Sequence, residues 1–158
     1  MPNETVRVAR VSLGLDIVVE GLDGSKLAPG VYKLDQAYSD GTSDGQITQI
    51  YYNTDVDGTS TTHDLDNLTD FQGGTTSTCT RVKLMYFNNK STTTSLTIGG
   101  GDFEPMFGAT GDKLVLLPET DCLIRCRKGG YTLTATSADG LLVVSAAGQT
   151  YDMVIFFS

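Results

Sequence analysis

The densest run of oxygen-bearing side chains in the chain is Asn53-Thr-Asp55-Val-Asp57-Gly58, which continues to Asp64. A calcium ion takes about six to eight oxygen ligands, and alternate residues of a curled loop can turn inward to supply them. Curled in that way, the segment offers Asn53, Asp55, Asp57, the carbonyl of Thr59, and Asp64, with Gly58 at the sharp turn. Calcium is therefore the one cofactor that the residue types suggest. The competing explanation is an Asp/Gly turn, and SDGTSDG at 39–45 is another segment of that kind.

Read as twelve positions, Asn53 to Asp64 resembles the EF-hand calcium loop, with three departures. The first ligand is Asn, the last is Asp where Glu is usual, and Ser60 stands at an ordinarily apolar position. The flanks read as strand and loop rather than helices.

Other chemistry finds less support. The single histidine, His63, lies in a polar Thr/Asp stretch, and no serine sits in a G-x-S-x-G turn, so a nucleophile–base pair has no frame. Of the four glutamates, Glu104 and Glu119 are the candidates for a carboxylate pair, yet each lies beside proline or in a turn, where solvated acids are ordinary. Gly99-Gly-Gly101 lacks the following lysine and helix of a phosphate loop and reads as a turn or bulge. Cys79, Cys122 and Cys126 are an odd set. On a strand, Cys122 and Cys126 are about 13 Å apart, too far for a disulfide. Buried, inert thiols are expected. Tyr38 and the pair Tyr51-Tyr52 are the nearest thing to aromatic platforms for a sugar, but alternation sends Tyr51 and Tyr52 to opposite faces, so one of them belongs to the core. An enzyme is not expected.

The charge is unevenly placed. The chain of 158 residues carries 19 acids and 11 bases. No Lys or Arg occurs between Lys33 and Arg81, and that gap holds eight Asp. Removing them leaves 11 acids against 11 bases, so the net charge of −8 resides in residues 34–80. Such a balance disfavours nucleic acid as a partner. The segment reads as a long acidic region of solvated Asp/Gly/Thr-rich loops. No window of about 18 apolar residues is present, so no spanning helix is expected. The N-terminus does not read as a secretory signal. Synthesis and folding in a cytoplasm follow as the expectation.

The elements that must carry these residues are strands. Ala9, Val11, Leu13 and Leu15 alternate with polar or small residues. Strand patterns recur over Gly30–Tyr38, Gln46–Tyr52, Arg81–Phe87, Thr92–Ile98, Lys113–Leu117, Cys122–Cys126, YTLTAT (131–136), LLVVSAA (141–147) and the closing YDMVIFFS. SDGTSDG reads as a hairpin loop, and Asp64–Phe71 as the one stretch that could form a short helical turn. No amphipathic helix pattern appears. Short strands with frequent turns predict a single all-β domain over 1–158, an antiparallel β-sandwich of about eight to ten strands.

In texture the second half resembles the small all-β structural virion proteins of tailed bacteriophages. The stretches that carry the resemblance are Val82-Lys-Leu-Met-Tyr-Phe-Asn-Asn89, Leu96-Thr-Ile-Gly-Gly100, Asp112-Lys-Leu-Val-Leu-Leu-Pro118 and the run from Asp139 to the C-terminus. The resemblance implies a jelly-roll-like sandwich acting structurally in a virion. Within that class it implies a capsid decoration, or cement, protein that binds the major capsid protein lattice as a homo-oligomer, with a trimer the first guess. Its place would be the virion, after synthesis in a bacterial cytoplasm, without nucleic-acid or membrane partners. Contact surfaces are expected on the N-terminal strand (Val6 to Leu15) and on the apolar C-terminal strand. A tail, neck or fibre component is the second virion reading. A sugar- or receptor-binding module, calcium-dependent through Asn53 to Asp64, is the alternative from another class.

Overall fold

A computed structural model describes residues 8–20, 26–57, 59–69, 73–103, 106–109, 111–126, 128–134 and 139–158, with 8–20 and 26–36 described as main chain only. Glu104, Asp70, Phe71 and Gly58 lie outside the described residues. The described residues form twelve strand segments and no helix. These are β1 (Val8–Glu20), β2 (Lys26–Asp40), β3 (Gln46–Ile47), β4 (Gln49–Asp57), β5 (Ser60–Asp64) and β6 (Arg81–Asn89). They continue with β7 (Leu96–Gly99), β8 (Lys113–Leu116), β9 (Asp121–Arg125), β10 (Tyr131–Thr132), β11 (Gly140–Val144) and β12 (Thr150–Phe157). The all-β expectation holds, and β1 to β3 add a third sheet beside a five-stranded and a four-stranded one.

Two antiparallel sheets share the main core. The larger has the order β10-β6-β12-β4, with β9 also paired to β6. The smaller has the order β5-β11-β7-β8. Between them lie Tyr51, Met85, Phe87, Tyr151, Met153, Ile155 and Phe157 from the larger sheet, and Leu96, Ile98, Leu116, Leu141 and Val143 from the smaller. Two inner faces interdigitating in this way make a β-sandwich.

The C-terminal strand β12 is the middle of the larger sheet, hydrogen-bonded to β6 on one side and β4 on the other. Its odd residues Tyr151, Met153, Ile155 and Phe157 face the main core, while Phe156 enters a second buried cluster with Tyr38, Ile47 and Leu84. A strand apolar on both faces is a buried strand.

β6 departs from strict alternation. Leu84 pairs with Phe156 and Val82 with Phe157, so one extra residue, Lys83, sits in a bulge. The bulge flips the parity: Val82 joins Met85 and Phe87 in the main core, while Leu84 faces the second cluster. Lys83, the extra residue, is buried. A Cβ on Gly130 would stand 3.0 Å from the Lys83 stem, so glycine leaves room for it.

The third sheet has the order β1-β2-β3. β1 and β2 form a long antiparallel ribbon, and β3 joins β2 in parallel through Ser39↔Gln46 and Asp40↔Ile47. SDGTSDG therefore does not close a hairpin between antiparallel neighbours, as expected. It is a turn of one edge, held by the Gln46 side chain, whose Oε1 accepts from the Ser43 N–H at 2.9 Å. Asp64–Phe71 forms no helix among its described residues. Asn67 N–H donates to the Asp64 carbonyl in a turn, and the Thr76 hydroxyl donates to the Leu65 carbonyl and accepts from the Leu68 N–H.

One buried polar knot ties the loops at the end of β6. Asn89, fully buried, donates through Nδ2 to the carbonyls of Thr94, Leu116 and Leu117, and its Oδ1 accepts from the Ser91 N–H and from Gln149 Nε2. Gln149 Oε1 accepts in turn from the Ala146 N–H and the Thr94 hydroxyl. Both amides are satisfied at each end, as buried polar groups must be.

Candidate functional site

The acidic segment is more ordered than a run of loops. β4 continues through Asn53, Asp55 and Asp57, and β5 follows at Ser60 to Asp64. Asn53 stands opposite Met153 and Asp57 opposite Thr150 on β12. Asn53 and Asp57 thus stand opposite residues three apart on β12, about 10 Å, whereas calcium ligands lie about 2.5 Å from one ion. The structure does not curl Asn53, Asp55, Asp57, Thr59 and Asp64 around a point. β4 is an edge strand, and its exposed positions tolerate Asn and Asp because water solvates them.

Asp55 has its own partners. It takes a positive φ of 54° where the register with β12 shifts between Tyr151 and Met153. Its N–H donates to Asp152 Oδ1 at 3.1 Å. Lys90 Nζ bridges Asp55 Oδ1 at 2.8 Å and Asp152 Oδ1 at 3.0 Å. Against the opposing effect of burial, the Asp55 N–H, Lys90 and Asn88 hold the Asp152 carboxyl below the ordinary range. This is a structural clamp across β4, β12 and the end of β6.

Asp64 belongs elsewhere. Its carboxylate gathers with those of Asp66 and Asp139, with oxygens within 4.8 Å of one another, the one such group of three among the described residues. A hydrogen bond that the protonated Asp66 donates to Asp64, then desolvation and the charges of Asp64 and Asp139, push the Asp66 carboxyl up to about 6. Asp139 immediately precedes β11, whose pairing with β5 puts Gly140 opposite Asp64. Spacing along the sequence carries no signal for that third acid, because the pairing of β5 with β11 supplies it.

His63 is not in a polar loop. It lies on β5, buried, with Nε2 2.8 Å from the Tyr151 hydroxyl. Burial lowers its pKa and raises that of the Tyr151 phenol. No serine or cysteine is bonded to it among the described residues, so it reads as a core histidine. The three thiols are free. Cys79 is buried and bonds Gln49 Oε1 at 2.9 Å, while Cys122 and Cys126 are half-buried, not buried as expected. Burial, then Asp121, pushes the Cys122 thiol up, which leaves little thiolate at neutral pH. Glu119 is exposed in a turn with φ of 54°, its N–H bonded to the Ser91 carbonyl. Gly101 passes so close to the backbone of Gly140 and Leu142 that a Cβ would collide, consistent with a tight turn. Tyr38 is fully buried and offers no platform. Tyr51 is 9% exposed and Tyr52 57%, on opposite faces as alternation requires.

The remaining feature is the outer face of the larger sheet. Its register stacks three rows across the strands. In the first row, Leu84 and Phe156 are buried beneath Tyr38 and Ile47, with the Tyr38 and Phe156 rings edge to face at 5.5 Å. In the second, Leu123, Tyr86, Val154 and Tyr52 stand side by side. The first three are half-buried, and Tyr52 is exposed. The third, with Asp121, Asn88 and Asp152, is polar. Burial, then Asp121 and Asp152 from the polar row, push the Tyr86 phenol up. The smaller sheet has a counterpart at its edge, where Val115 on β8 and Leu117 just beyond it are exposed.

The signal for the apolar row is present in the sequence: Leu84/Tyr86 and Val154/Phe156 are apolar on the face opposite the main core. Seeing it as one row requires the pairing of β9, β6, β12 and β4. No family model, no curated protein and no solved structure matches this chain.

Proposed function

We propose that this protein is a non-enzymatic structural virion protein, a capsid decoration protein that binds the lattice of the major capsid protein and stabilises the shell. The observation that carries the reading is where, among the described side chains, the exposed large apolar ones lie. Tyr52 is on β4 and Val115 is on β8, each the edge strand of its sheet, with Leu117 beside β8. Exposed apolar groups on open strand edges are adhesive. Burying them against neighbouring shell subunits is the whole mechanism, with no bond made or broken. The jelly-roll-like topology, the trimer and the virion location belong to the same proposal. The acidic segment then faces solvent and adds no affinity for packaged nucleic acid.

The test is cosedimentation with cognate capsids assembled without this protein, beside a glycan array with calcium and with EDTA. Saturable capsid binding, a raised capsid disruption temperature and a silent array are expected. Binding to purified tails and not to capsids would replace the decoration role with a tail, neck or fibre role. Glycan binding abolished by EDTA would replace it with the calcium-dependent receptor module.

A further inference from the structure

We infer that this chain recognises further copies of itself head to tail, the basic corner at β6, β9 and β10 of one copy receiving the Asp64 and Asp66 carboxylates of the next. Strand pairing assembles the corner. Arg81 opens β6 opposite Thr132 on β10, and Arg125 closes β9 opposite Leu84 on β6. Lys128 stands in the connection from β9 to β10, which the Arg81 guanidinium ties down by donating to the Gly129 carbonyl at 2.9 Å. All three cationic side chains are exposed. Lys83, buried, packs its stem against Gly130 in the same connection.

The corner already holds one carboxylate. The Gly129 N–H donates to Asp44 Oδ1 at 2.9 Å. The cations beside it are left over, since among the described residues neither Arg81 nor Lys128 forms an ion pair with an acid. Elsewhere on the chain a base does find its acids, where Lys90 bridges Asp55 and Asp152. Asp64 and Asp66 are the converse of the corner. No base among the described residues pairs with either, and Asp66 is crowded by Asp64 and Asp139. The chain thus separates unpaired cations from unpaired anions.

The two patches sit on opposite edges. β9 and β10 lie at one edge of the larger sheet and β4 at the other. β5, which ends at Asp64, follows β4 after two residues and is an edge of the smaller sheet on that side. One copy cannot join its own patches, and each patch meets a different neighbour. That is a heterologous contact, which closes as a ring or runs on as a filament. The net charge of −8 opposes approach, but salt screens it beyond about 8 Å, so the local signs decide at contact. The other aspartates of 34–80 stay in solvent. Exposed ion pairs are individually weak, so association is expected at about 1 mM chain.

The inference stands apart from the capsid reading and is tested in solution on the full chain. Light scattering at low salt and about 1 mM chain is expected to give a mass that climbs past twice the 16.9 kDa chain mass. High salt should weaken association at least about tenfold. R81E with K128E, and separately D64K with D66K, should each return the mass to one chain with the circular dichroism of wild type. The second pair moves the net charge from −8 to −4, two units per substitution. Net charge alone would then strengthen association, so its loss reports the patch. A chain carrying all four substitutions has the original net charge and should associate again. A wild-type monomer overturns the inference, as does association that salt leaves intact, a mass that stops at two chains, or a fourfold variant that stays monomeric. A monomer that binds capsids through Arg81 and Lys128 overturns the second copy as occupant and leaves the decoration reading standing. A charge-paired oligomer indifferent to capsids does the reverse.

Discussion

The two faces of the larger sheet are built from the same strands and meet opposite fates. On β12, Ile155 and Met153 point inward and are fully buried among Phe87, Ile98 and Val143. Val154, between them in sequence, points outward into a row that nothing described covers completely. Composition does not separate the two, since both faces are apolar. What separates them is the second layer: a four-stranded sheet covers the inner face, while among the described side chains Tyr38 and Ile47 cap part of the outer one. A large apolar residue therefore signals stability on one face and availability on the other.

The sharpest way to break this contrast is truncation at adjacent positions. Ile155→Ala should destabilise the fold by about 2–5 kcal/mol through lost burial and a residual cavity. Val154→Ala should cost about 1 kcal/mol, because its side chain is only half-removed from water. Urea unfolding with a common m-value checks both, and equal losses would mean that the outer face is as closely packed as the inner. Asn89→Ala comes next, at about 3 kcal/mol, since it strands the carbonyls and amides that Asn89 now satisfies.

Two titrations probe the inner face and the acidic cluster, with opposite signs. Burial depresses the pKa of His63 in the folded chain. The unfolded chain then takes up a proton that the folded chain refuses as the pH falls below about 6.5. Stability should decline there, and His63→Phe should flatten that decline. Asp66 has its carboxyl raised to about 6. Its contribution favours the folded state at low pH and is lost as the pH rises from about 4 through 6. Asp66→Asn should accordingly stabilise the protein at pH 7.5 relative to wild type and make no gain at pH 4, as denaturant midpoints at the two values would show. The smallest effect belongs to Tyr52→Ser, within about 0.5 kcal/mol for the isolated chain. A larger loss, measured under dissociating conditions, would contradict its exposure.

Much of this was legible from residue order. The alternation of Tyr51 and Tyr52, the strands β11 and β12 and the all-β class follow from a period of two. Three features were not. The burial of Lys83 is not legible because its bulge, which flips the parity of β6, is a property of the pairing with β12. Asn53 to Asp57 read as a curled loop because Asp and Asn are poor strand formers, yet an edge strand facing water accepts them. Asp66 and Asp139 escape any local motif, because the pairing of β5 with β11 brings Asp139 to Asp64.

The central position of β12 has a consequence for how the chain is made. β4 and β6 emerge from the ribosome well before residues 150–157, yet neither has its main partner until β12 slides between them. At roughly 5–20 residues per second of synthesis, the two strands wait for several seconds without it. The contacts that close the sheet are distant along the chain, which makes the closing step slow as well as late. Nascent chains of this protein should therefore depend on chaperone occupancy until the last strand is released.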